Sequence, residues 1–188
     1  MRSKLAISWE AIIGVSAIVT AVVSLAVGIQ QTRIQQQTLA ASTWPYLALY
    51  SSGLTEDHRP RMALGVSNEG VGPAKIESIT ASYKGRLYAS SGTLLRDCCM
   101  PKSAKPDVVY TTLAQSVIPA HDRIDYLIAD YTPKNRALWE ALSTVPQRVV
   151  VTICYCSVLD ECWTINSQSQ EPPAQVRNCS PATPQFDG

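Results

Sequence analysis

Phenylalanine occurs once among the 188 residues, histidine twice, and the formal charge is only +1. Each scarcity excludes something. A near-neutral balance carries no electrostatic footprint for nucleic acid or for an anionic lipid surface. With one Phe, core aromatics must come from the four Trp and eight Tyr. The two histidines, His58 and His121, have no second ligand at metal spacing. His121-Asp122 stands in a turn after Pro119, where polar residues are expected anyway, and no nucleophile motif accompanies it, so no catalytic residue is assigned. A phosphate loop is also missing, because Gly70-x-Gly72 runs into Pro73 and a strand instead of a helix. The pairs Glu56-Asp57 and Asp160-Glu161 read as solvated turns, and no cofactor is implied.

What is present begins at the N-terminus. Ala11 to Ile29 contains no charge, no Pro and no Asn or Gln. A helix needs about 20 apolar residues to cross the hydrocarbon core. Residues 1–29 are therefore read as a transmembrane anchor, with a buried core helix and a cleaved signal peptide as the rivals. A signal h-region is shorter, about 7–15 residues, and the first small-residue site, near Ala40 and Ala41, lies far downstream. Arg2 and Lys4 precede the apolar run and only Arg33 follows it closely, which favours a cytoplasmic N-terminus. Glu10 is expected at the cytoplasmic interface. Ser16, Thr20, Ser24 and Gly28 recur every fourth residue, a stripe that would let a partner helix or a second copy approach closely. The expected partners are thus the lipid bilayer and a protein seated on this helix.

Residues 30–42 are Gln-rich without Gly or Pro and read as a juxtamembrane helical linker. Pro45 ends any helix, so the folded domain is expected over 43–166, with Trp44 and Tyr46 packing into its core. Alternating segments at Arg61–Ser67, Lys75–Tyr83, Arg123–Tyr131, Gln147–Cys156 and Cys162–Ile165 predict strands. Thr132-Pro133 predicts a helix N-cap before Asn135–Leu142, and a second short helix is expected near Thr93–Cys99. The fold class expected is mainly β, an antiparallel β-sandwich with one or two short helices. The tail 167–188, rich in Pro, Gln and Ser, is expected to be largely disordered apart from a tether at Cys179.

Val66-Ser67-Asn68-Glu69-Gly70-Val71-Gly72-Pro73-Ala74 resembles the V-x-N-x-G-x-G-P-A strand-and-loop signature of immunoglobulin-like domains, including those related to CARDB adhesion modules. With Trp44-Pro45-Tyr46, the whole layout is similar to a broad group of bacterial single-pass membrane proteins carrying one such domain. The resemblance implies an immunoglobulin-like sandwich in the periplasm, anchored in the inner membrane, and almost nothing about function.

All six cysteines follow the apolar run: Cys98, Cys99, Cys154, Cys156, Cys162 and Cys179. An even count suits disulfides in an oxidising compartment. If Cys156 lies opposite Cys162 in a hairpin, then Tyr155 faces Trp163 and Ile153 faces Ile165 on one apolar side, which predicts a Cys156–Cys162 bond. The other four are left to pair Cys98 or Cys99 with Cys154 and Cys179, or to include a strained vicinal Cys98–Cys99 bond. In a reducing compartment Cys154, Cys156, Cys162 and the Cys98-Cys99 pair would instead supply thiolates for zinc or redox chemistry, although no C-x2-C knuckle is present and no metal site is assigned. The expected function is a non-enzymatic, membrane-anchored interaction or sensor module of a cell-envelope complex. A thiol-dependent redox or zinc protein is the alternative.

Overall fold

In a computed structural model of the chain, residues 9–55, 57–100, 108–181 and 183–186 are described. Arg2 and Lys4, which set the flanking-charge argument, and Glu56 of the first acidic pair lie outside these residues. The chain divides into two compact units, Met1–Ser42 and Thr43–Gly188.

The first unit carries one helix, α1 (Trp9–Ser42), which is long and apolar enough to span a membrane and buries none of its residues. The apolar run and the Gln-rich stretch are thus one continuous helix. Two hydroxyls within the apolar run are satisfied by the helix itself. Ser16 Oγ donates to the Ile13 carbonyl and Thr20 Oγ1 to the Ser16 carbonyl, each at 2.8 Å. Such back-bonding lets a polar side chain sit in hydrocarbon without a free donor.

The second unit is built on two antiparallel sheets. One has the order β1-β2-β7-β5, from Leu47–Leu54, Pro60–Asn68, Arg123–Asp130 and Val109–Tyr110. The other has the order β10-β9-β8-β3-β4, from Ala174–Val176, Cys162–Asn166, Val149–Cys156, Ala74–Tyr83 and Arg86–Tyr88. A two-residue strand, β6 (Val117–Ile118), pairs with the start of β3. Because β8 occupies one edge of β3 along its length, β4 and β6 share the other edge at opposite ends. Three short helices are added, α2 (Ser91–Cys98), α3 (Arg136–Leu142) and α4 (Val145–Arg148). The protein is therefore mixed helix and sheet instead of mainly β, and its sheets are not closed on each other.

Alternation decides which faces meet. Met62, Leu64 and Val66 of β2, Ile79 and Ala81 of β3, Ile153 and Tyr155 of β8 and Trp163 of β9 enter one core cluster, with Leu94 and Leu95 of α2. The loop after β2 explains the V-x-N-x-G-x-G-P-A pattern. Asn68 is 1% exposed, and its Oδ1 accepts from the backbone N–H groups of Tyr46 and Gly70. Its amide donates to the carbonyls of Gly72, Ile118 and Pro119. The loop also receives the chain entering the domain, since the Glu69 N–H donates to the Tyr46 carbonyl and that of Val71 to the Trp44 carbonyl. The backbones approach so closely that a Cβ at Gly72 would overlap the backbone of Thr43. The pattern is thus a structural clamp.

Three local expectations are corrected. Trp44 does not pack into the core; it is 44% exposed and meets Tyr46 edge to face. Thr132 does not cap α3; its hydroxyl accepts from Asn135 N–H, and Asn135 Oδ1 accepts from Thr132 N–H, which closes a turn one step ahead of the helix. The tail is not largely disordered. Ala174–Val176 pairs with Thr164–Cys162, Cys179 is joined to Cys154, and Phe186 is 3% exposed with its N–H donating to the Ile79 carbonyl. A segment this poor in apolar residues cannot order itself, but a covalent tether and an open sheet edge remove most of the entropy it would have to lose.

Candidate functional site

The β1 strand lies at an edge, pairing with β2 alone. Antiparallel pairs alternate between bonded and non-bonded residues. The bond from Glu69 N–H to the Tyr46 carbonyl places Ala48, Tyr50 and Ser52 in the bonded set, so Leu47, Leu49 and Ser51 turn their N–H groups away from β2. Leu47 N–H finds the Tyr155 hydroxyl at 3.3 Å. Beyond it, no partner among the described residues takes the outward N–H groups of Leu49 and Ser51.

A groove runs along this edge because the two sheets do not close. It consists of a cavity of about 180 Å³ from Tyr46 to Leu49 and a second of about 170 Å³ from Leu49 to Ser51, which meet at Leu49 and Ser167. The second is lined by Leu64, Leu94, Tyr126, Val149 and Phe186, so it is apolar, and its far wall is built by α2, α4 and the tail. A cavity of about 150 Å³ accepts a benzene ring, so this half-open one has room for one large apolar side chain. Ser167 seals the wall, since its hydroxyl accepts from Val151 N–H and donates to the Val149 carbonyl.

Tyr50 stiffens the strand. Its ring lies over Gly65 of β2, where a Cβ would overlap it, and its hydroxyl donates to the Asp125 carboxylate on β7. A bulge in the β2–β7 ladder after Leu64 sets Asp125 opposite Gly65. Burial, then the bond to Asp125, pushes the Tyr50 phenol up to about 12. At neutral pH it is a fixed donor without acid–base function.

The cysteines form two separate features. Cys154 and Cys156 alternate with the core residues of β8 and face away from the core. Cys156 lies opposite Cys162, Tyr155 opposite Trp163 and Ile153 opposite Ile165, the register expected from the sequence. Bonds join Cys156 to Cys162 and Cys154 to Cys179, and the two are adjacent, with Cys156 Sγ 3.7 Å from Cys179 Sγ. Of the pairings left open, the structure has the vicinal Cys98–Cys99 bond, at the end of α2, and not Cys98 or Cys99 with Cys154 and Cys179, because the tail carries Cys179 to Cys154 on β8. Cys98 and Cys99 stand outside the sulfur cluster formed by Cys156, Cys162 and Cys179.

Of the remaining candidates, Asp160 adjoins the cysteines, its carbonyl lying 3.5 Å from Cys162 Sγ. His58 and His121 hold turns at φ 60° and 61°, and His121 N–H donates to the Asn68 carbonyl. Asp160 sits in the β8–β9 turn and accepts from Lys75 Nζ at 2.7 Å. Ser16, Thr20, Ser24 and Gly28 lie on α1 in the other unit. The sequence reading missed the groove, because its walls come from segments over 100 residues apart, from Leu49 to Phe186.

Comparison with known proteins yields no matching family model, no matching curated protein and no matching solved structure.

Proposed function

We propose that the protein is a membrane-anchored interaction module, a subunit or sensor of a cell-envelope complex, which binds an extended polypeptide segment along β1. The open edge at Leu49 and Ser51, lying against an apolar groove, carries this reading. Strand addition uses such an edge: backbone bonds supply affinity, and pockets for alternate side chains supply specificity. In this reading α1 is a single-pass anchor in a bacterial inner membrane, and the domain from Thr43 stands in the periplasm. The length of α1 and the three disulfide-bonded cysteine pairs support that placement. The domain is read as immunoglobulin-like, on two antiparallel sheets around one core and on the Asn68 loop. The stripe from Ser16 to Gly28 would seat the partner's helix or a second copy.

A photo-crosslinking residue in place of exposed Ser51, in the full chain in native membranes, tests the binding mode. Val109, on the opposite edge of the same sheet and 61% exposed, is the control position. Position 51 is expected to give a discrete adduct whose crosslinked segment, sequenced by mass spectrometry, has alternating apolar residues. Leu49→Pro deletes an outward donor without touching the β2 ladder and should abolish the adduct. Identical products from both positions, or an adduct indifferent to Leu49→Pro, would refute strand addition.

A further inference from the structure

We infer that Cys154, Cys156, Cys162 and Cys179, once reduced, form a four-thiolate zinc site that their two disulfides hold closed. Zinc takes four thiolates tetrahedrally at about 2.3 Å, which sets the sulfurs about 3.8 Å apart. Cys156 Sγ and Cys179 Sγ, which belong to different disulfides, already stand 3.7 Å apart. Cys162 joins them, with all three sulfurs within 4.8 Å of one another. Cys154, whose sulfur lies outside that 4.8 Å group, supplies the fourth by side-chain rotation, being bonded to Cys179 and two residues from Cys156 on the same face of β8. Cutting each S–S bond requires its sulfurs to separate by only about 1.7 Å to reach the tetrahedral edge, which side-chain rotation provides.

The absence of a C-x2-C knuckle does not count against this site. Here the hairpin register places Cys162 opposite Cys156, and the ordered tail delivers Cys179, so sequence spacing is replaced by sheet geometry. The set also differs from the one expected on sequence, because Cys98 and Cys99 are bonded to each other at the end of α2 while the tail brings Cys179 to β8. Four thiolates around one Zn²⁺ leave a charge of −2. Lys75 lies opposite Cys156 across the β3–β8 ladder, where its ammonium is shared with Asp160 at 2.7 Å and Glu77 at 3.9 Å, so it offsets little of that charge. Thiolate softness selects zinc, or Cu(I), over magnesium and calcium.

Cys179 is the entry point, being half-buried and lining a surface cavity with Glu77 and Gln115. The reductant is a dithiol. One dithiol donates two electrons and two protons to each disulfide and leaves as its own disulfide, so two dithiols yield four thiols. These release four protons on binding one Zn²⁺, and oxidation by a disulfide-class oxidant reverses the sequence and expels the metal.

The test uses the full chain in detergent under anaerobic conditions, with zinc or Co²⁺ as the probe and a non-chelating phosphine as reductant. Oxidised protein is expected to bind no metal. Reduced protein is expected to bind about one zinc per chain and to give, with Co²⁺, tetrahedral ligand-field bands and thiolate charge transfer. The Cys98→Ser/Cys99→Ser variant should retain both signals, and Cys156→Ser/Cys179→Ser should lose them. Circular dichroism accompanies each sample. Reduced protein that keeps its sheet signal and binds no metal overturns the inference, as does tetrahedral Co²⁺ binding that survives Cys156→Ser/Cys179→Ser. Loss of the sheet signal on reduction in the presence of zinc overturns it equally, because four thiolates would then fail to hold the region.

Discussion

Replacing Asn68 with alanine removes one side chain that serves five backbone groups. Two of these, the N–H groups of Tyr46 and Gly70, lose their acceptor, and the Gly72, Ile118 and Pro119 carbonyls lose a donor. Each buried polar group left unpaired costs about 1–3 kcal/mol. Tyr46 is half-buried and Pro119 exposed, so a sum of about 3 kcal/mol counts the Gly70 N–H and the Gly72 and Ile118 carbonyls at the lower figure. For a domain of this size that lowers the thermal midpoint by roughly 6–12 °C. Asn68→Asp keeps the shape but sets a carboxylate oxygen against three carbonyls, and at neutral pH it should cost at least as much. The assay is thermal unfolding of the full chain in detergent, followed by near-UV circular dichroism with the disulfides intact. Gly53→Ala, where an added Cβ meets nothing within 4 Å, is the neutral control. Gly72→Ala, where it would overlap the Thr43 backbone, should resemble the Asn68 variants. If Asn68→Ala melts with wild type, the loop is not the clamp that holds the domain entrance, and the motif needs another explanation.

Two further predictions rest on the same core. The phenols of Tyr50 and Tyr155 are pushed up to about 12, mainly by burial, and Tyr126 is also raised. Their folded pKa values exceed the unfolded value of about 10, so the stability they contribute is complete below pH about 10 and is lost as pH rises toward 12. Phenolate absorbance should show a late-titrating class that merges with the rest in denaturant, and a single class in the folded protein would contradict the burial. Among the cysteines, Cys154–Cys179 spans 25 residues and Cys156–Cys162 spans 6. The paired serine variants should therefore cost about 3.5 and about 2 kcal/mol respectively by loop entropy. Denaturant midpoints in the reverse order would show that the tail gains little order from its tether.

Much of the fold was legible because local patterns dictate it. An uncharged run from Ala11 to Ile29 has one way to satisfy its backbone in an apolar medium, which is α1. Period-two alternation around Ile153, Tyr155, Trp163 and Ile165 permitted one register for β8 and β9, since a slip of one residue turns every apolar side chain outward. Strands of two or three residues, β5, β6 and β10, have too few positions to show any period. Their existence is decided by the edges that receive them. The same holds for both candidate sites. Six cysteines permit fifteen pairings in sequence, and only the path of the tail across the second sheet brings Cys179 to Cys154 and within 3.7 Å of Cys156. The groove exists because two sheets from distant segments stay apart along β1, with Phe186 closing one wall. The long apolar helix and the register of the paired strands were dictated by local pattern, because each depends on neighbours a few residues away. Tertiary structure decided where Cys179 lands, because the path of the tail across the second sheet carries it to Cys154, and which edge stays open, because the groove walls at Leu49 and Phe186 come from segments more than a hundred residues apart.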